Sequence, residues 1–272
     1  MNINRPLSEI YAWCIVPYDV KKRSPKERIL MLKELGIAKY VYDWRQNDLP
    51  LMEEELKLAR ENDIEIKGVW IWIDNDWDKA GKLNKPNEIV FEIIEKLNLS
   101  TQIWVGFNPN FYQGLTDQES IAKGAEIISF LCDKADRSNS QIALYNHGDW
   151  FGEPLNQLKI IEKLPDEKIG IIYNFHHAHN HIDRFEETIE KAIPFLWAVS
   201  LNGMNKNGPK ILPLGSGESE KQMIAKLFEL GYKGDFGIIG HVEERDVRDV
   251  LVENINGYFR IMNVINKIEN GD

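Results

Sequence analysis

Five of the six histidines lie in two short stretches, residues 144–154 (LYNHGDWFGEP) and residues 169–181 (IGIIYNFHHAHNH). In each stretch a run of apolar residues ends abruptly in asparagine, histidine and aromatic residues. Neutral imidazole binds divalent transition metals, and because histidine titrates near neutral pH it also transfers protons. A single histidine is more often a hydrogen-bonded structural residue than a ligand, so it is the clustering that indicates a functional site. The residues alone leave metal binding and general acid–base catalysis open.

Tryptophan and amide residues follow several apolar runs in the same way. Indole rings stack on the C–H faces of sugars, and amide, carboxylate and imidazole groups hydrogen-bond hydroxyl groups. This combination predicts a sugar or polyol ligand, although tryptophans that only close the mouth of the fold would look the same. The candidate substrate-binding residues are Trp72, Asn146, Trp150, Asn174, Asn202 and Glu218.

A loop rich in glycine and proline, residues 207–218, leads into a predicted helix. The free N–H groups at the helix start, together with Gly215 and Gly217, could bind an anion. Lys210 could neutralise that anion or act on a carbonyl group. Because Gly-x-Gly is a weak signal, glycines that merely permit the turn are the favoured interpretation.

The elements that must position these residues are eight short strands separated by amphipathic helices. Several of the predicted strands are apolar at consecutive positions, which is typical of strands buried on both faces. The predicted strands are residues 10–17, 38–42, 64–73, 101–107, 141–145, 168–174, 195–201 and 235–240. Eight such alternations without a linker predict a single (β/α)8 TIM barrel domain over residues 1–272.

A doubly wound open sheet is the alternative architecture. It would require a glycine-rich turn after the first strand, and residues 17–22 contain no glycine, so we expect no nucleotide cofactor. Capping boxes that begin at Ser24, Thr116 and Ser219 predict the starts of three helices. The last helix is expected over residues 245–268, with an interruption at Gly257.

Composition restricts the partners of this chain. The formal net charge of −10 disfavours nucleic acid, and the longest apolar runs are too short to cross a bilayer. The two cysteines indicate no disulfide framework, and no signal-peptide pattern opens the chain, so a reducing, cytoplasmic location is expected. Oligomeric state stays open, because the last helix could cap the barrel or form a dimer contact.

At these residues the sequence resembles the xylose-isomerase-like TIM barrels, also called sugar phosphate isomerases/epimerases. The resemblance covers nearly the whole chain and is clearest in LYNHGDWFGEPLNQ, IGIIYNFHHAH, VSLNGM, ILPLGSGE and GDFGIIGHVEERD. It implies a barrel whose active site lies at the carboxyl ends of the strands. It also implies a divalent metal (Mn, Mg, Co or Zn) and isomerisation or epimerisation of a sugar by proton transfer.

The chain departs from this family at the residues that the resemblance makes decisive. Tyr145 stands where the family has a glutamate ligand, and Asn174 stands where it has an aspartate. Asn202 replaces a histidine and His241 replaces a second glutamate, whereas His177 is retained. Two alternatives follow, a metal-free site or a metal held by a different set of histidines. That set is His147, His177, His179 and His241.

The sequence therefore predicts a sugar or keto-sugar isomerase- or epimerase-like enzyme that moves a proton next to a carbonyl. His147 and His177 are the predicted acid–base groups, and Lys210 is a lower-ranked catalytic partner. A keto-sugar lyase or hydratase uses the same proton abstraction and stays an alternative. A non-catalytic sugar-binding barrel is a second alternative, and a nuclease on the same fold is opposed by the negative charge.

Overall fold

The computed structural model describes residues 6–77 and 83–270. In these residues eight parallel strands alternate with eight α-helices, and the sheet closes where β8 pairs with β1. The strands are β1 Ile10–Trp13, β2 Lys39–Tyr42, β3 Glu65–Ile73, β4 Gln102–Phe107, β5 Gln141–Tyr145, β6 Gly170–Asn174, β7 Leu196–Leu201 and β8 Asp235–Ile239. The helices are α1 Pro25–Glu34, α2 Leu49–Glu61, α3 Lys85–Lys96, α4 Asp117–Ala135, α5 Pro154–Glu162, α6 Phe185–Ala192, α7 Glu220–Glu229 and α8 Val247–Asn270. The predicted (β/α)8 barrel is confirmed.

The first strand is shorter than predicted, for a local backbone reason. It ends at Trp13, and the next residue, Cys14, has a left-handed backbone with a φ of 57°. Residues other than glycine rarely adopt this conformation, which cannot continue a strand. The chain therefore leaves the sheet four residues before the predicted end at Pro17.

Helix starts and ends agree only in part with the predictions. The capping boxes at Ser24 and Thr116 are present. The helix start at Ser219 is also confirmed, since α7 begins at Glu220, but the predicted box is wrong because the Ser219 side chain forms no capping hydrogen bond. The predicted interruption of α8 at Gly257 is also wrong, because the helix is continuous. At that position a Cβ atom would lie 1.7 Å from the carbonyl oxygen of Leu214. Glycine is needed there for close packing against the loop before α7.

The helices cover the outside of the barrel through apolar stripes. Ile29 and Leu32 of α1 and Met52 and Leu56 of α2 are all buried, at the spacing of three or four residues that places side chains on one helix face. They belong to the large apolar cluster between strands and helices. Among the described residues, no helix has the length and apolar character that crossing a membrane requires.

The inside of the barrel is filled largely by aromatic rings. Tyr11, Trp13, Trp104 and Tyr145 form one buried cluster, with the rings of Trp13 and Trp104 5.1 Å apart. Glycines make room for rings of this size: a Cβ at Gly237 would lie 2.0 Å from the ring of Tyr11. The lumen is therefore a packed floor, and any site must lie above it.

Candidate active site

A cavity of about 520 Å³ lies above this floor, at the carboxyl ends of the strands. Side chains from the ends of six strands and from the loop after β7 line it. Its polar and aromatic lining includes Trp13, Tyr18, Asp43, Arg45, Trp70, Trp72, Asp74, Tyr145, His147, His176, His177, Lys210 and His241.

Strand periodicity decides which residues reach this cavity. Alternate residues of a strand face opposite sides of the sheet, so residues that face the lumen recur at every second position. Val41 and Tyr145 belong to the cluster that fills the lumen, and two residues beyond them Asp43 and His147 line the cavity. The same step along β8 places His241 there.

Imidazole and indole rings pack against one another around the cavity. The ring of His147 lies 4.7 Å from that of Trp72 and 4.4 Å from that of His177, in edge-to-face arrangements. His176 stacks on His241 at 5.3 Å and meets His177 edge-on at 4.4 Å. These contacts limit the rotation of the rings, so their nitrogen atoms hold defined positions.

The Tyr145 hydroxyl is the centre of a hydrogen-bond network. The indole N–H of Trp13 (3.3 Å) and the Nδ2 amide of Asn174 (2.5 Å) donate to it. The amide orientation follows from Oδ1 of Asn174, which accepts the backbone N–H of His176 at 3.1 Å. A hydroxyl oxygen has two acceptor positions and one proton, so Tyr145 donates to Nε2 of His177 at 3.1 Å. The neutral ring of His177 therefore carries its proton on Nδ1.

Burial keeps the cavity histidines neutral. Desolvation lowers the pKa of His147 to about 4 and that of His241 to about 4, and the cations Lys210 and Arg45 act in the same direction. Desolvation also lowers the pKa of His177 well below its ordinary value. Near neutral pH each ring therefore supplies one N–H donor and one nitrogen acceptor, without a charge.

Among the described residues that line the cavity, the cations are Arg45 and Lys210. Arg45 donates to the hydroxyl of Tyr18 and lies over the ring of Tyr18 at 5.2 Å. The loop that carries Lys210 is held by the Lys210 carbonyl, which accepts Nδ2 of Asn202 at 3.1 Å and lies 3.0 Å from Nε2 of His179. An acidic protein thus directs two positive charges toward one cavity, where they can stabilise negative charge on a ligand.

Asp43 is a buried carboxylate of this cavity that the sequence reasoning did not select. Its Oδ1 atom is 3.3 Å from the backbone N–H groups of both Ile15 and Val16. Its Oδ2 atom has no hydrogen-bond partner among the described protein atoms. Burial is the largest influence on this carboxyl group and raises its pKa to about 6. Its position directly after the second predicted strand was the signal that could have identified it.

Buried polar atoms without a protein partner gather around the cavity. Four of them belong to lining residues in the described part of the chain: Asp43 Oδ2, Trp70 Nε1, His147 Nδ1 and His176 Nδ1. An unsatisfied buried polar group costs about 1–3 kcal/mol. A cluster of such groups in one cavity fits a ligand that supplies several hydroxyl or carbonyl groups.

Five of the predicted site residues meet in this cavity. They are Trp72, His147, His177, Lys210 and His241.

The asparagines predicted to bind substrate form hydrogen bonds that hold the strand ends and the loop around the cavity. Asn146 donates Nδ2 to the carbonyl of Asn174 (3.1 Å) and accepts the N–H of Asn174 on Oδ1 (2.7 Å), which joins the ends of β5 and β6. Asn202 and His179 hold the Lys210 loop. None of these three asparagines is among the described residues that line the cavity, so their contact with a substrate stays a prediction.

Two predicted substrate-binding residues lie outside the cavity lining. The indole N–H of Trp150 donates to Oδ1 of Asp117 at 2.9 Å, and its ring packs against Tyr112 at 4.9 Å. Glu218 is exposed. In the sequence Trp150 follows an apolar run and Glu218 ends a glycine-rich loop, but loop geometry directs both elsewhere.

The glycine-rich loop before α7 binds the carboxylate of Glu220, a side chain of the protein itself. Oε1 of Glu220 accepts the N–H groups of Gly215 (3.1 Å) and Gly217 (2.8 Å), and Oε2 accepts that of Met204 (2.9 Å). Glu220 is only 1% exposed. Its carboxylate therefore occupies the position that a phosphate would take.

The four-histidine metal site does not form in the part of the chain that the structure describes. No group of three or more histidine, cysteine, aspartate or glutamate residues there is arranged to hold a metal ion. Nε2 of His177 accepts the Tyr145 hydroxyl, and both ring nitrogens of His179 lie within 3.0 Å of backbone carbonyl oxygens. With Tyr145 and Asn174 in place of acidic ligands, the described residues do not assemble the predicted ligand set.

Comparison with solved structures places this barrel among xylose-isomerase-like folds. It superposes with a TM-score of 0.69 on 3-keto-D-glucoside 4-epimerase YcjR from E. coli, at 16% identity, over 91% of this chain and 99% of that chain. A D-tagatose 3-epimerase-like protein gives a TM-score of 0.68 at 18% identity, over 95% of this chain and 98% of the other. AsbF from Bacillus anthracis, described as the probable 3-DHS dehydratase, gives 0.66 at 14% identity, over 92% and 98%.

No family model and no curated protein matches the sequence. At these identities the likeness concerns the fold, and at that level the resemblance drawn from the sequence motifs is confirmed.

Proposed function

We propose that the protein binds a sugar, keto-sugar or related polyol in this cavity and transfers a proton next to its carbonyl group. The observation that carries the proposal is the set of buried, unpartnered polar atoms in a cavity walled by aromatic rings. Epimerases among the structural neighbours support the same reaction class. The proposed enzyme is isomerase- or epimerase-like, with no step assigned to a metal.

The residues of the cavity suit the negative charge that this reaction creates. When a proton leaves the carbon next to a carbonyl, the electron pair moves onto the carbonyl oxygen, which must be stabilised. Lys210 and Arg45 supply positive charge, and His147 and His177 each supply an N–H from a neutral ring. A neutral imidazole can polarise a carbonyl in this way. We therefore assign both histidines to the acid side of the proton transfer.

Proton exchange tests the proposal directly. We would incubate the protein with aldoses, ketoses and keto-sugars in D₂O and follow each carbon by NMR. Deuterium gain next to the carbonyl is the expected result. Lys210→Met should slow this exchange. Lys206→Met is the matched control and should not, because Lys206 is an exposed lysine of the same loop that pairs with Asp183. The absence of exchange and turnover with every sugar would overturn the enzyme proposal.

A sugar-binding barrel without catalysis is the second candidate. The replacement of both family glutamates, by Tyr145 and His241, favours it. It predicts that a sugar raises the melting temperature while no carbon exchanges its proton. A lyase or hydratase, the reaction class suggested by the dehydratase neighbour, would instead produce NMR signals of a dehydrated or hydrated product.

A further inference from the structure

One oxygen of the Asp43 carboxylate is hydrogen-bonded, and the other is buried without a partner among the described residues. Asp43 is 2% exposed, and its Oδ1 is fixed by the backbone N–H groups of Ile15 and Val16, each 3.3 Å away. The left-handed turn at Cys14 (φ 57°) directs the chain out of β1 immediately before these two amides. Oδ2 is buried without a partner among the described residues, in a side chain that lines the cavity.

The other groups that could act as a base in this cavity are either hydrogen-bonded or kept neutral by burial. Asp74 accepts Nδ2 of Asn108 on Oδ1 (2.8 Å) and Nδ2 of Asn84 on Oδ2. Nε2 of His177 accepts the Tyr145 hydroxyl proton, and burial lowers the pKa of His147, His176 and His241, which disfavours their protonated forms. A proton transfer needs an acceptor, and among the described lining residues the unpartnered Oδ2 atom of Asp43 is the acceptor that remains.

We propose that Asp43 is the catalytic base of this site, and that its Oδ2 removes the proton from the carbon next to the substrate carbonyl. This inference rests on the proposed function. The C–H bond breaks, the proton joins Oδ2, and the electron pair forms the enediolate, whose negative oxygen is stabilised by Lys210 and Arg45. Return of the proton from Asp43 to the neighbouring carbon gives the isomer when the hydroxyl proton of the enediolate moves from the oxygen that becomes the new carbonyl to the negative oxygen, which becomes a hydroxyl. Return of the proton to the original carbon restores the substrate. No oxidant or further reactant is required.

The surroundings of Asp43 suit this role. A carboxyl group whose pKa is raised to about 6 is ionised at neutral pH and still accepts a proton readily. Arg45 and Arg28 favour its ionised form, and burial opposes it. The titratable and charged groups around it are Cys14, Tyr18, Arg28, Tyr40, Tyr42, Arg45 and Glu55.

The experiment compares wild type with Asp43→Asn and Asp43→Ala. For a sugar that exchanges in D₂O with wild type, we expect Asp43→Asn to retain binding, measured by the rise in melting temperature. Its exchange should be slower by about a hundredfold to ten-thousandfold, the contribution usual for a general base. Added formate should partly restore exchange in Asp43→Ala, because the small carboxylate can occupy the space of the side chain. A merely structural role would not respond to formate.

The outcomes separate this inference from the proposed function. Exchange at the wild-type rate in Asp43→Asn would overturn the role of Asp43 and leave the proposed function standing. Loss of both binding and exchange, without formate rescue in Asp43→Ala, would assign Asp43 a structural role and also overturn the inference. If wild type binds sugars but exchanges no proton, the proposed reaction fails, and the assignment of a base fails with it.

Discussion

Removing the Tyr145 hydroxyl should destabilise the protein by an amount that the structure allows us to estimate. In Tyr145→Phe the Nδ2 amide of Asn174, which is 1% exposed, loses its acceptor at 2.5 Å. The indole N–H of Trp13 loses a longer contact of 3.3 Å, and His177 loses its donor. His177 is only partly buried, so water can replace its lost partner. The dominant effect is one orphaned amide, which costs about 1–3 kcal/mol.

This loss should be visible as a lower melting temperature. For a chain of this size about 1 kcal/mol corresponds to about 2–4 °C, so a loss of about 2 kcal/mol predicts a decrease of about 4–8 °C. Thermal unfolding followed by circular dichroism, together with urea unfolding, measures it. The matched control is Tyr40→Phe, because Tyr40 is fully buried and its hydroxyl has no partner among the described residues. It should leave stability unchanged or raise it.

A melting temperature of Tyr145→Phe equal to that of wild type would refute the reasoning. It would mean that the Tyr145 hydroxyl does not accept hydrogen bonds from Trp13 and Asn174. The tautomer assigned to His177 would then be wrong, because it was inferred from those two hydrogen bonds.

Three further predictions concern other parts of the molecule. The pKa of Asp43 is raised to about 6 in the folded chain, so ionisation of this buried group lowers the stability of the fold as pH rises through that value. About two pKa units correspond to about 3 kcal/mol. Asp43→Asn should therefore melt at a higher temperature than wild type at pH ~8 and at a similar temperature at pH ~4. Equal melting temperatures at both pH values would contradict this. Gly257→Ala should lower the free energy of unfolding by about 1–3 kcal/mol, measured in urea, because the added Cβ meets the carbonyl of Leu214. This loss should exceed the gain from the better helix propensity of alanine. Asn256→Ala, at an exposed neighbouring position, is the control and should leave stability unchanged. Protein purified without chelator or nickel should contain far less than stoichiometric metal by mass spectrometry, and a stoichiometric metal that disappears in His177→Ala would show that the ligand geometry had been misjudged.

The fold could be predicted from the sequence because its signals are local. Strands buried on both faces require consecutive apolar residues, and the helices between them carry capping and periodicity signals within a few residues. The capping boxes at Ser24 and Thr116 illustrate this, since each involves backbone and side chain within one helical turn. The box at Ser219 failed because a distant requirement, the pairing of Glu220 with Met204 and the glycine loop, shapes that turn.

The site was predictable to the level of which end of the barrel carries it. Alternation along a strand is a property of the sequence itself, and it accounts for His147 and His241 as lining residues. His177 lies in the turn after β6, where the strand period no longer applies. The same period places Asp43 in the cavity, two residues beyond Val41, but it could not place Trp150, because loops do not keep the strand period.

What the sequence determined by itself was the barrel, the rim that carries the polar residues and the replacement of acidic family positions by Tyr145 and Asn174. Only the tertiary structure decided how those residues are used. Hydrogen bonds between residues more than twenty-five positions apart join Tyr145 to Asn174 and His177. In the same fold one oxygen of Asp43 is buried without a partner among the described residues. The protonation of each group depends on burial and on partners that only the closed barrel brings together, because desolvation and hydrogen bonding act across space and not along the chain.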